Sequence, residues 1–160
     1  MKDFVTSCKE SAVQNMEMFL RNFSRVPDDK LTWTPTPTAK SAIRIAAHTA
    51  LYAGVFARAI RDGMLPGSGN LEEYLAQRNA EELALTSRTE MEKVFREGTA
   101  EVLAALDSLT PEMIAASLDS GLGWSMPMTQ LMRLPGWHAT LHTGQIDFLQ
   151  TCWGDQEIYL

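Results

Sequence analysis

A chain of 160 residues is long enough to bury a substantial core, and one domain over residues 1–160 is the simplest expectation. Hydrophobic residues at 45% and charged residues at 21% exclude a disordered chain. A formal charge of −6, with no run of Lys and Arg, excludes the electrostatic footprint of a nucleic-acid-binding protein. No apolar run reaches the length of a membrane span, and Met1 to Glu10 is polar and mixed in charge, unlike a secretory signal. These features together predict a cytoplasmic protein with neither nucleic-acid nor membrane partners. Cys8 and Cys152 have no metal-site spacing and fall on expected apolar faces, so two buried thiols are expected, with a redox pair as the alternative.

The first segment, Asp3 to Phe23, spaces Phe4, Cys8, Ala12, Met16, Phe19 and Phe23 at three- and four-residue intervals, the pattern of an amphipathic helix. It stops in Ser24 to Asp29. Pro35 and Pro37 then hold Leu31 to Thr38 as an extended loop, in which Trp33 either anchors the loop to the core or acts as a lid. Thr38 or Ser41 caps a second helix that runs to about Arg61 and ends at Asp62-Gly63. One of its faces is small (Ala47, Ala50, Gly54, Ala57), inviting close helix approach, and another carries Ile45, His48, Tyr52 and Val55.

Met64 to Gly69 reads as a turn-rich linker, and Asn70 caps a short helical piece from Leu71 to Arg78. Ser87 to Glu90 has the capping-box pattern and opens a third long helix to about Ser108, with Gly98 on its inner face. Thr110-Pro111-Glu112 starts a short helical turn, and Asp119 to Pro127 is irregular or partly extended. The last helix runs from about Thr129 to Trp153, either kinked at Pro135-Gly136 or restarting with Pro135 in its first turn. Four helices of this length with no alternating strand pattern predict an all-α, antiparallel four-helix bundle with a long crossover between helices 2 and 3.

The chemistry concentrates in Trp137 to Gln145, which holds two of the three histidines. On a helix His138 and His142 stack one turn apart on one face, a spacing that suits a metal, and Gln145, Leu134, Leu141, Phe148 and Leu149 share that face. Two imidazoles leave a site incomplete, and His48 is the only other histidine. In an up-down-up-down bundle helices 2 and 4 run the same way, placing His48 roughly 10 Å and His138 roughly 14 Å into their helices. The alternative is three core histidines satisfied by hydrogen bonds. Ala139 stands where the Glu of an HExxH peptidase would be, which removes that enzyme's general base, and Asp147 lies on another face. Gln145 can orient a ligand or bond its neighbouring backbone. Tyr52, one turn after His48, is a candidate proton donor, and Arg44 can bind an anion at the mouth or simply be exposed.

The stretch Leu31-Thr32-Trp33 through Ser41 to His48, the run Trp137-His138 to His142-Thr143-Gly144-Gln145, and Leu149 to Asp155 together resemble the DinB-like (DinB/YfiT) family of metal-binding four-helix-bundle proteins. The resemblance spans nearly the whole chain. It implies that His48, His138 and His142 are a metal triad, that Gln145 belongs to the HxGQ ending, and that a divalent metal such as zinc or nickel is bound. It further implies a homodimer, and an activity of the thiol-dependent transferase or isomerase type using a low-molecular-weight thiol and a small-molecule substrate. Three neutral imidazoles leave a coordination position open, as in catalytic rather than structural sites. The functional expectation is therefore a metal-dependent thiol S-transferase acting on a small electrophile. The alternatives are a non-enzymatic, dimeric metal-binding sensor or stress-related module, and a metal-dependent hydrolase. Tyr52 and Gln145 are the catalytic candidates.

Overall fold

The computed structural model describes residues 2–67 and 69–159. Met1, Leu160 and Ser68, the last within the expected Met64 to Gly69 linker, lie outside the described residues. The chain is mostly helical. Helix α1 (Lys2–Phe23) buries Cys8, Ala12, Met16, Phe19, Leu20 and Phe23, the face that the three- and four-residue spacing predicts. Helix α2 (Ala42–Asp62) starts after Ser41, which holds the extended backbone of an N-cap without a side-chain cap bond. It ends at Gly63, whose φ of 67° lets its N–H reach Ala59 O.

Helix α3 (Leu71–Ala84) follows the linker, capped by Asn70 accepting from the Glu73 N–H. It runs past the expected end at Arg78 to Ala84. Nothing between Arg78 and Leu85 breaks a helix, and the periodic signal fades there because Leu71, Leu75 and Leu83 face solvent while Glu82 is buried. Helix α4 (Arg88–Asp107) opens on Ser87, whose Oγ accepts from the Glu90 N–H at 3.3 Å.

A short helix, α5 (Pro111–Ala115), precedes two short antiparallel strands, β1 (Ser117–Asp119) and β2 (Ser125–Pro127), paired from Ser117↔Pro127 to Asp119↔Ser125. The irregular stretch expected there is thus a small hairpin. The expected last helix is two: a single turn, α6 (Met128–Leu131), and α7 (Leu134–Cys152), which restarts with Pro135 in its first turn, where its missing N–H costs nothing.

The four long helices pack as two overlapping pairs: α1 lies on α7 and α4, and α2 lies on α4 and α7. Their shared interior divides into two apolar clusters. One centres on Phe19, Ile43, Phe95 and Ile146, with Phe19 and Phe95 edge to face at 5.6 Å. The other contains Cys8, Ile60, Val102, Leu106 and Met132. Trp33 meets Trp153 edge to face at 5.7 Å on the margin of the first cluster, so it anchors its loop.

Cys152 departs from expectation. Cys8 is buried, but Cys152 is exposed in the last turn of α7. Leu141 and Phe148, expected on a buried stripe with the histidines, are exposed as well. The face of α7 that packs against α1 and α2 is narrower than the periodicity suggested, and its apolar margin stays in water.

Two glycines fix how closely the helices approach. At Gly136 a Cβ would lie 3.0 Å from the Ser11 carbonyl oxygen and closer still to Ser11 Oγ, so the start of α7 rests directly on α1. At Gly98 of α4 a Cβ would sit 2.9 Å from Ala53 Cβ and 3.1 Å from the Gly54 backbone nitrogen of α2. Gly54 itself would meet only the ends of the Arg58 and Glu101 side chains, at 3.6 and 3.7 Å. Gly98→Ala should therefore lower stability in urea unfolding by roughly 1–3 kcal/mol from overpacking, outweighing the ~1 kcal/mol that Ala contributes in a helix. Gly54→Ala should be neutral or stabilising. Equal effects of the two substitutions would contradict this account of the α2–α4 contact.

Candidate metal centre

Helix α2 supplies His48, and the first half of α7 supplies His138 and His142 one turn apart. The two helices pack together, so the three rings meet. His142 Nε2 lies 3.0 Å from His138 Nε2, which lies 3.3 Å from His48 Nε2. One ring nitrogen from each of the three falls within 4.8 Å of the others, and the cluster could hold a metal ion.

The far side of two rings is held by acceptors. His48 Nδ1 is 2.7 Å from Glu82 Oε1, and His142 Nδ1 is 2.6 Å from Gln145 Oε1. A carboxylate or amide oxygen only accepts, so each neutral ring carries its proton on Nδ1 and presents a bare Nε2 lone pair to the centre. Lone pairs converging at these distances repel one another. His138 can offer one Nε2 proton to one neighbour, not to both. A cation between the nitrogens removes the conflict: metal–nitrogen bonds of about 2.0–2.1 Å in tetrahedral geometry need nitrogens about 3.3 Å apart. The donor set therefore fits a divalent ion.

All three imidazoles are biased towards the neutral form that ligation needs. Burial pushes His138 down to about 2, reinforced by the charges His142, His48 and Lys40 would present. Burial lowers His48 too, against the opposing pull of its bond to Glu82. It also lowers His142, against the bond to Gln145.

Around the triad the expected residues divide. Tyr52 stacks beside the site, its ring 4.2 Å from that of His48 and 5.4 Å from that of His138. Burial, with Tyr74 and Glu82 nearby, raises its pKa, so it keeps its phenolic proton at neutral pH. Gln145 bonds His142 rather than only its own backbone. Arg44 reaches α3, donating to Asn79 Oδ1 at 3.0 Å and lying 3.4 Å from Glu82 Oε2, instead of facing solvent alone. Asp147 points away from the triad and accepts from Asn22. Ala139 is buried in the core, where a Glu would have no room to act as a base.

Behind His138 the interior is nearly full, with about 10 Å³ of space among Ala53, Phe56, Phe95 and Pro135. On the side of Gln145 a groove of about 590 Å³ runs between Lys40, Ile45, Gly144 and Phe148, lined mainly by apolar side chains.

Glu82 is the site residue that sequence reasoning missed. It sits on α3 beyond the expected end of that segment, and one of a pair of adjacent acidic residues, Glu81 and Glu82, on a polar helix reads as a solvated one. The available signal was the run from Leu71 to Ala84 without a Gly or Pro, rich in helix formers, which carries Glu82 back towards α2. Its carboxylate is buried with its residue only 6% exposed, and it accepts from His48 and from Lys40, the latter at 2.7 Å. Burial alone would raise its pKa, but the Lys40 and His48 bonds outweigh that and hold it below the usual range, so it stays ionised.

The family model described as the DinB superfamily matches residues 12–146, and the chain belongs to that family. Among solved structures it resembles a DinB-like protein, YjoA, from Bacillus subtilis at 17% identity, with a TM-score of 0.66 and 96% of each chain covered. It also resembles the mycothiol-dependent maleylpyruvate isomerase at 12% identity and a TM-score of 0.69, covering 89% of this chain and 60% of that one. At these identities the likeness is one of fold. No curated protein sequence matches the chain.

The depressed histidine values set a pH dependence for the metal-free protein. A histidine that resists protonation when folded but accepts a proton when unfolded stabilises the fold above the unfolded pKa and loses that contribution as pH falls below it. For His138, with an unfolded value of 6.5, the loss between pH 7 and pH 5 is roughly 2 kcal/mol. Urea midpoints of chelator-treated protein should fall over this interval, and His138→Gln should flatten the dependence. Stability unchanged between pH 7 and 5 would contradict the buried, neutral cluster.

Proposed function

We propose that this DinB-family chain is a divalent-metal protein built on the family's four-helix bundle, and that it is a metal-dependent enzyme transferring a low-molecular-weight thiol to a small electrophile. The observation that carries the metal assignment is the convergence of three Nε2 atoms, of which those of His48 and His142 are left bare because their Nδ1 protons are tied to Glu82 and Gln145. His48, His138 and His142 are the proposed ligands, with zinc or nickel the expected ion, since imidazole suits both. A divalent ion held by three neutral imidazoles keeps its charge uncompensated, which favours an anionic fourth ligand such as a thiolate or hydroxide.

In the proposed reaction the thiol gives its proton to solvent water, its ionisation favoured by the charge a bound divalent ion would supply, and the sulfur lone pair forms a bond to an electrophilic carbon. The electron pair displaced onto the acceptor is then quenched by a proton or carried off with a leaving group. Tyr52 is the proposed donor of that proton, a reading supported by its ring beside the triad and a phenol that stays protonated at neutral pH. The apolar groove that ends at Gln145 offers room for the body of a small substrate. The fold likeness to a thiol-dependent isomerase supports this choice of chemistry over hydrolysis.

A non-enzymatic metal-binding role is the second reading, and one observation favours it. The carboxylate beside the triad, Glu82, is already engaged by His48, Lys40 and Arg44, so among the described residues no unengaged carboxylate beside the histidines is ready to act as a base. Homodimerisation belongs to the proposal as well. The exposed Trp137, Leu141 and Phe148 along α7 supply apolar surface for it.

Zinc- or nickel-loaded protein given a panel of small thiols and electrophiles should consume both together, and a chelator or His142→Ala should abolish the turnover. Tyr52→Phe should lower kcat by about 10²-fold or more while retaining the metal. Stoichiometric metal binding with no turnover across the panel would favour the sensor reading.

A further inference from the structure

Helix α3 is attached to the rest of the molecule in an unusual way. It packs chiefly on α2, its leucines Leu71, Leu75 and Leu83 are exposed, and its one buried residue is Glu82. An amphipathic helix normally docks through an apolar stripe; this one presents a half-buried Tyr74 and Arg78 and, at its end, the buried carboxylate of Glu82. Glu82 Oε2 accepts from Lys40 at 2.7 Å and lies 3.4 Å from Arg44 Nη2, Oε1 accepts from His48 at 2.7 Å, and Asn79 one turn earlier accepts from Arg44. Burying a carboxylate is costly unless each lone pair finds a donor. The seating of α3 therefore depends on the Nδ1–H of His48, and the same proton placement leaves His48 Nε2 free to ligate.

We infer that Glu82 is a positioning residue that couples the docking of α3 to occupancy of the three-histidine centre. This rests on the metal reading above. A cation on Nε2 fixes His48 as the Nδ1–H form and makes that proton a stronger donor to Glu82, so the bound ion tightens α3 onto α2. By reciprocity, a docked α3 strengthens ion binding by holding the ring in the ligating orientation. The helix is thus a cover whose closure reports the state of the site beneath it.

The test uses full-length protein and zinc as the probe. Affinity is read by chelator competition, and α3 docking by amide hydrogen exchange over residues 71–84 with and without zinc. In the wild type, zinc should slow exchange across α3. Glu82→Met, which removes the acceptor while keeping length and helix propensity, should lower zinc affinity by about 10–100-fold and abolish the zinc-dependent slowing even at saturation. Glu82→Gln, which keeps an acceptor without the charge, should fall between Met and wild type. Glu81→Gln, whose partners are Arg78 and Gln77, should change neither reading. If Glu82→Met does not fold, Glu82→Gln decides alone, weaker zinc binding supporting the coupling and wild-type affinity refuting it. Zinc binding that leaves α3 exchange unchanged in the wild type also overturns the coupling while leaving the metal reading intact. No zinc or nickel binding by the wild type would instead remove the metal reading itself.

Discussion

Imidazole nitrogens face one another across about 3 Å only when something fixes where their protons are, and in this molecule that task falls to two oxygen acceptors outside the triad. Glu82 holds the proton of His48 on Nδ1, and Gln145 does the same for His142. Both bonds turn a lone pair inward. The depressed basicity of all three rings follows from the same burial that makes the acceptors necessary, because a buried imidazole is cheaper neutral than charged. Ligand readiness and folding cost are two descriptions of one arrangement.

The fold delivers that arrangement through close backbone contacts more than through specific side-chain locks. Gly136 lets the beginning of α7 rest on Ser11 of α1, with Pro135 starting the helix just ahead of it, and His138 follows two residues later. Gly98 draws α4 against Ala53 and Gly54 of α2, the helix that carries His48 and Tyr52. Both histidine-bearing helices are thus set by glycine contacts away from the rings. What touches the rings is mostly aromatic: Tyr52 over His48 and His138, and Phe56 edge-on to His138 at 5.1 Å. These half-buried rings pack against one side of the triad, and Gln145 on the other lines a groove.

Much of this was legible in the amino-acid sequence, and what was not has a physical reason. The long helices announce themselves because each buries a regular apolar face, and Gly63, Ser87 and Asn70 mark ends with residues suited to caps. His138, His142 and Gln145 are readable because one helix repeat puts them on one face, and His48 because the chain holds no other histidine. Glu82 was hidden: its partner is on a different helix, and α3 has too little apolar periodicity to reveal its length. Cys152, Leu141 and Phe148 were misjudged for the converse reason, since apolar spacing says which residues share a face but not how wide a strip of that face the neighbours cover.

The central claim is that these three imidazoles form one divalent-ion site. X-ray absorption at the metal edge, on protein loaded with one equivalent of zinc, counts and types the ligands directly. Three imidazole nitrogens at about 2.0–2.1 Å with one oxygen or sulfur ligand completing the shell are expected, with loss of one imidazole in His48→Ala. A shell without histidine, or one unchanged by His48→Ala, would contradict it.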